Sequence, residues 1–325
     1  MRLGSIRRWP DSVLVVSLAM LAWLGFVFAA RPDFAAAEAM APSAAWLLIG
    51  LGVTAAGFRN RRACAFVALL WLLFGAVTVE GFRSSLRPGF RIAGKERAAA
   101  DAVRVVSLNC AGGSEAAARE VEQYRPDIVL LQETPVRATV GRLATRLFGR
   151  EGAFWCGLDA SIIARGYLRP VQHPRRSSNF VMAALRVRGV PFGVVSLRLQ
   201  PPVARMDLWN PECRRAQTAS RRSRRKELAE VMGFVGSHSG EGPVLVGGDF
   251  NAVAGDPALE PITAPMRDSF DEAGRGWCDT AVNDLPFARI DRLFVERGVE
   301  VLASSVRRTS NSDHRMLVVD IRARR

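Results

Sequence analysis

Two regimes of apolar and polar spacing divide the chain. The first 80 residues hold long runs without charge. Ser12 to Ala30 (SVLVVSLAMLAWLGFVFAA) has 19 residues and no charged side chain, close to the roughly 20 that cross a bilayer as a helix. A second apolar segment runs from about Met40 to Phe58 and a third from Ala63 to Val79, with the basic turn RNRR (Arg59 to Arg62) between them. Any one of these alone reads as a buried core helix, and the first also as a signal peptide. Three in succession predict a membrane anchor of three helices over residues 1–80.

Residues 81–100 are basic, contain Pro88 and end Ala-rich, which reads as a linker. From Asp101 the apolar runs shorten to strand length and alternate with helical patterns. Val103 to Asn109 and Asp127 to Glu133 read as buried strands, and Ser114 as the N-cap of a helix reaching Tyr124. SSNFVMAALRVRGVPFGVVSLRLQPP reads as a hairpin turning at RGVP. A helix follows over RRSRRKELAEVMGFVGSH, then strands at GPVLVGGDFN, ARIDRLFVE and HRMLVVDI. Interleaved helices and strands, interrupted by hairpins, predict mixed or antiparallel sheets in one domain over 101–325.

Charge adds a partner class. The chain carries 45 Lys+Arg against 31 Asp+Glu, a net +14, with Lys95 and Lys226 the only lysines. Such a balance favours phosphates, nucleic acid or lipid headgroups, although part of it flanks the apolar segments. Arg2, Arg7, Arg8 and the RNRR turn are basic, whereas the first loop has Arg31 beside Asp33 and Glu38. By the positive-inside rule the N-terminus is cytoplasmic and the 101–325 domain extracytoplasmic. Arg83, Arg87, Arg91, Lys95 and Arg97 pull the other way. The five cysteines show no metal-binding spacing and read as free thiols, with disulfides open on an oxidising side. His173 and His238 read as surface residues, and Trp155 and Trp277 as core.

Several strands end on an acid or amide: Asn109, Glu133, and Asp249 followed by Asn251. Asp291 opens a strand, and Asp313 and His314 precede the last one. Singly, each is an ordinary strand end; together they predict a polar centre at one edge of the core. Carboxylates and amides with few histidines suit a hard oxygen-seeking cation, Mg²⁺ or Mn²⁺, of the kind that neutralises charge during phosphate-ester hydrolysis.

The segments SLN, LLQE, GGDFN, RIDRLFV and SDH, in this order, resemble the endonuclease/exonuclease/phosphatase superfamily over about Val103 to Ile321. The resemblance implies an α/β four-layer sandwich, two mixed β-sheets flanked by helices, with the site at one edge. It implies Glu133 as main metal ligand, Asn109 beside it, and Asp313 as a second metal-side carboxylate. It implies Asp249 as base, Asn251 orienting the scissile phosphate, and His314 contacting phosphoryl oxygens with Asp291 behind it. One position departs. Family members commonly place a histidine at the end of the hairpin strand, where this chain has Arg198. Arginine binds phosphate oxygens strongly but does not release a proton. Eight basic residues between Arg205 and Lys226, with Trp209 among them, suggest contacts to nucleic acid or to an anionic membrane surface; Arg198, Arg205 and Trp209 are the substrate-binding candidates. The reading is a membrane-anchored, metal-dependent phosphodiesterase acting on nucleic acid, lipid or inositol phosphates. Its rival is a non-catalytic membrane protein binding phosphorylated ligands on the same fold.

Overall fold

The computed structural model describes residues 9–57, 61–85, 87, 97–173, 179–205, 207–238, 240 and 242–323. Arg2, Arg7 and Arg8, the Arg59 end of the basic turn, and half of the expected linker (86 and 88–96) lie outside the described residues. The chain forms two compact units. One comprises residues up to Arg83 together with Val203–Arg221; the other comprises Ser84–Pro202 and Arg222–Arg325.

The first unit is helical. Trp9–Ala30 and Arg61–Thr78 contain windows long and apolar enough to cross a membrane; Asp33–Met40 and Ser43–Ala56 form a pair bent by 78°. Small residues let the helices approach. A Cβ on Gly50 would stand 2.1 Å from the Trp71 ring, and the indole N–H of that ring donates to Ser17 Oγ at 2.9 Å. Val15, Val16, Phe66, Leu69, Leu72 and Leu73 face outward. The 203–221 segment joins this unit through its polar side chains. Arg214 pairs with Glu38 at 2.6 Å, Thr218 donates to the Asp33 carbonyl, and the buried Arg221 donates to the carbonyls of Arg31 and Pro32.

The second unit is built on two six-stranded sheets. One holds β1 (Val103–Asn109), β2 (Ile128–Gln132), β3 (Gly152–Cys156), β4 (Ala160–Arg165), β11 (Val299–Arg307) and β12 (Met316–Ala323), in the order β11-β12-β1-β2-β4-β3. The other holds β5 (Tyr167–Val171), β6 (Phe180–Val187), β7 (Val190–Arg198), β8 (Val244–Asp249), β9 (Arg267–Asp268) and β10 (Asp291–Val295), in the order β5-β6-β7-β8-β10-β9. Both are mixed: β1 runs parallel to β2 and β7 to β8, and the remaining pairs are antiparallel.

Four layers follow from strands that are apolar on both faces. Between the sheets, Val105, Leu130, Ile162 and Leu317 meet Ala183, Val194, Leu245 and Leu293. The alternate residues Val106, Leu108, Val129 and Leu131 face outward, beneath Val121, Val140 and Leu143. On the far side, Val195, Leu197, Val246 and Phe294 pack under Leu228, Val231 and Val235 of the helix Pro211–His238. Each large aliphatic side chain so buried contributes roughly 1.5–3 kcal/mol.

Ser114 caps its helix as expected, accepting from the Ala117 N–H. The hairpin turns at Arg188-Gly189, both at positive φ, the backbone that two-residue β-turns need. His238 is exposed, but His173 is only half-exposed: its ring packs against Phe180 and Phe234, at 5.3 and 4.7 Å between centroids. Trp155 packs against the core, whereas Trp277 is partly exposed.

Candidate active site

The site is assembled by strand register. In the second sheet Arg198 lies opposite Asp249, and Asp249 opposite Asp291, so three adjacent strands present these residues in one row. In the first sheet Asn109 lies opposite Gln132, which places Glu133 one step beyond the β2 end. The loop before β12 brings in His314, and Ser312 Oγ ties that loop to the Asn109 carbonyl at 2.7 Å. The backbone around the row is unusual. Glu133 and Asn251 both adopt positive φ, 45° and 49°, a conformation that costs energy for non-glycine residues and concentrates at functional sites. Gly248 sits at φ +140°, where a Cβ would come within 1.9 Å of the Leu197 carbonyl oxygen. That is a physical reason for the second glycine of GGDFN.

The polar groups form two hydrogen-bonded sets lying side by side. Asn109 Nδ2 donates to Glu133 Oε1 at 3.2 Å and to Asp249 Oδ2 at 3.1 Å. The Gly112 N–H donates to Glu133 Oε2 at 2.6 Å. Asp249 accepts from the Asn251 N–H at 2.9 Å and from its amide at 3.2 Å, and that amide also reaches the Leu199 carbonyl. His314 Nδ1 lies 2.8 Å from Asp291 Oδ2. Asp249, Asp291 and His314 each place a ligand-type atom within 4.8 Å of the others. Asp291 Oδ1 is buried without a hydrogen-bond partner. Thr280, absent from the sequence-based set, fixes the Asp291 backbone by accepting its N–H.

Electrostatics follow from this packing. Burial and then the neighbouring Asp291 push the Asp249 carboxyl up to about 7, against the pull of His314, the Asn251 N–H and Asn109. Burial alone lowers the His314 imidazole, but Asp291, then Asp249 and Asp313, outweigh it and raise it to about 10. Burial likewise works against a charged Glu133, yet the Gly112 N–H, Asn109, Arg198 and His314 hold it below the ordinary carboxylate range. The donor set is therefore an ionised carboxylate beside buried carboxylates, oxygen ligands that fit a hard divalent cation, while Asn109 aims its Nδ2 at Glu133 and Asp249 and its Oδ1 accepts from the Ala111 N–H at 3.0 Å. The Cys110 thiol nearby is pushed far up by burial and Glu133, so it offers no thiolate.

Arg198 is not free. Its Nη2 lies 2.8 Å from Glu133 Oε1 and its Nη1 3.0 Å from Asp159 Oδ2, while its buried Nε has no partner. Asp159, in the turn between β3 and β4, had no motif to mark it in the sequence. Asp313 is exposed, and its backbone carbonyl accepts from the Asn283 N–H. The other two substrate-binding candidates fall in the first unit: Arg205 is paired with Asp207 at 2.5 Å, and Trp209 is 82% exposed.

The sequence model of the Endonuclease/Exonuclease/phosphatase family matches residues 106–314. The chain belongs to that family. No curated protein matches it in sequence. Among solved structures, an endonuclease/exonuclease/phosphatase from Bacteroides vulgatus is similar at 19% identity and TM-score 0.53, covering 68% of this chain and 99% of that one. Humanized TDP2 from D. rerio is similar at 18% identity and TM-score 0.52, covering 69% and 100%. Beta toxin from Staphylococcus aureus is similar at 16% identity and TM-score 0.53, covering 67% and 99%. These likenesses concern the fold. Members of the family generally hydrolyse phosphoester bonds, typically with divalent metal ions.

Proposed function

We propose that this protein is a membrane-anchored phosphodiesterase that uses Mg²⁺ or Mn²⁺. The observation that carries the reading is the convergence at a sheet edge of two hydrogen-bonded sets, Glu133–Asn109–Asp249–Asn251 and His314–Asp291, with ligand-type atoms of Asp249, Asp291 and His314 within 4.8 Å of one another. Glu133 and Asn109 would hold the ion, with Asp313 contributing from the lip. When bound, the ion neutralises charge on the phosphoryl oxygens. Asp249 takes the proton of the attacking water, its raised affinity matching that task near neutrality. Asn251 orients the phosphate. His314, protonated on both nitrogens, gives Nδ1–H to Asp291 and turns Nε2–H toward the phosphoryl oxygens, where charge grows in the transition state. Arg198 adds a fixed positive charge and no proton.

Substrate is proposed at the level of class. A structure of D. rerio TDP2 contains single strand DNA product, which supports nucleic acid as one phosphodiester to test beside phospholipid and inositol phosphates. The contacts of Arg214, Thr218 and Arg221 with residues 31–38 support placing the 203–221 segment and the first loop of the anchor on one side of the bilayer. With the sparse positive charge of that loop, the side is extracytoplasmic.

The test is hydrolysis of bis(p-nitrophenyl) phosphate with Mg²⁺ or Mn²⁺, followed by a panel of DNA, RNA, sphingomyelin and inositol phosphates. Wild type turns over and Asp249→Ala does not. No turnover by wild type, or full turnover in the variant, sinks the catalytic reading. The ion pair between Arg198 and Glu133 favours the rival reading, a non-catalytic binder of phosphorylated ligands, and that reading gains if ligands bind without turnover.

A further inference from the structure

We propose that Arg198 is a resident counter-cation that the metal must displace from Glu133, and that Asp159 is the pivot holding it while it moves. The inference rests on the reading that Glu133 ligates the metal. Glu133 accepts from the Gly112 N–H on Oε2 and from Asn109 on Oε1, and Arg198 Nη2 lies 2.8 Å from Oε1 as its ion-pair partner. An oxygen has about two lone-pair positions, so a cation entering at Oε1 competes with Asn109 or Arg198. Gly112 N–H belongs to the backbone, and the Asn109 side chain is buried and shared with Asp249. Arg198 is the group that can leave. Its side chain is 24% exposed, and it carries a positive charge directly against the ligand oxygen.

Asp159 makes departure possible without loss of order. Nη1 remains on Asp159 at 3.0 Å while Nη2 opens from Glu133. The guanidinium then presents Nη2 and Nε along one edge. Nε is buried and already lacks a partner, so the freed edge offers two parallel donors to an anionic phosphate, the geometry at which arginine excels. Metal arrival at Glu133 would thus switch Arg198 from ligand blocker to phosphate clamp. A histidine at this position carries no permanent charge and no such edge, so the exchange belongs to this chain's own residue.

The experiment is isothermal titration of the full-length protein in detergent, with Mn²⁺ and then with inorganic phosphate on the Mn²⁺-loaded protein. Glu133→Gln serves as control. Arg198→Met is expected to bind Mn²⁺ more tightly, on the order of tenfold, because a like charge leaves the ligand. The same variant is expected to bind phosphate on the order of tenfold more weakly. Arg198→Lys, which keeps charge without the fork, keeps the weakened phosphate binding. A Mn²⁺-bound structure is expected to show Arg198 on Asp159 and off Glu133. Mn²⁺ binding that Glu133→Gln abolishes but Arg198→Met leaves unchanged or weakens overturns this inference alone. So does a lysine variant that matches wild type for phosphate, or a bound structure with Arg198 still on Glu133. Absence of saturable Mn²⁺ binding in wild type and Arg198→Met alike overturns the metal site and this inference together.

Discussion

Replacing His314 by alanine removes the cation that lies between two buried carboxylates. Asp249 and Asp291 are 2% and 1% exposed, and their oxygens lie within 4.8 Å of each other and of the imidazole. At an effective dielectric near 20, two unit negative charges at that separation repel by roughly 3 kcal/mol. The protein relieves this by taking up a proton, and Asp249, already raised to about 7, is the group that accepts it. The variant therefore loses the donor proposed for the phosphoryl oxygens, a loss of about 10²–10³ in rate, and much of the proposed base as well. Together these predict a fall of at least about three decades in kcat. His173 and His238 lie elsewhere, against Phe180 and Phe234, so no other imidazole can substitute. The assay is bis(p-nitrophenyl) phosphate hydrolysis with Mn²⁺, beside a thermal melt to show that the variant is folded. A folded His314→Ala protein retaining more than a tenth of wild-type turnover would refute the assignment of this centre.

Other consequences concern the frame around the site. Gly248→Ala places a methyl group 1.9 Å from the Leu197 carbonyl; a loss above about 4 kcal/mol is expected in denaturant unfolding, while Gly233→Ala, with nothing within 4 Å, is tolerated. Asp268 is buried between Arg289 and Arg292, which hold its carboxyl down to about 2 despite burial. A depressed carboxylate stabilises the fold above its unfolded value, and that stability is lost as pH falls through the folded value. Wild type should thus lose about 2 kcal/mol between pH 4 and pH 2, measured as the melting difference from Asp268→Asn, which lacks that slope; equal slopes in the two proteins would rule out the Asp268 carboxylate as the cause. Asp268→Asn should also destabilise the fold at neutral pH, since it removes the carboxylate that two buried arginines share, Arg289 keeping only Asp271 as a charged partner among the ion pairs described. Alkaline phosphatase fused after residue 323 should be active in cells, and a cytoplasm-only reporter there silent; the reverse result inverts the proposed topology.

The strands beside Asn109, Glu133, Asp249, Asp291 and His314 were legible because each is a short apolar run with a polar residue at one end. A strand buried on both faces needs such a run, and a site at a sheet edge needs such an end. The positions of β3, β5 and β11 were not legible, since Gly152–Cys156 is only half-buried, Tyr167–Val171 is largely exposed and Val299–Arg307 mixes buried and half-buried positions without alternation. Asp159 was invisible for another reason: an aspartate in a turn is ordinary until a partner such as Arg198 is brought to it. The basic stretch after Arg205 read as a free cationic surface, yet Arg214 and Arg221 are engaged with residues 31–38, far away in sequence.

By itself, the sequence determined residue chemistry and local periodicity: apolar helices at the start, a basic balance, two-faced strands, and a set of oxygen donors at their ends. Tertiary structure alone decided which of those donors meet. Register across β7, β8 and β10 set Arg198, Asp249 and Asp291 side by side, and the packing of two sheets brought Asn109 onto Asp249. It also decided that the one departure from the family pattern, Arg198, lies on the metal-ligand candidate Glu133. Such pairings are long-range contacts, and long-range contacts are set by packing that local sequence does not encode.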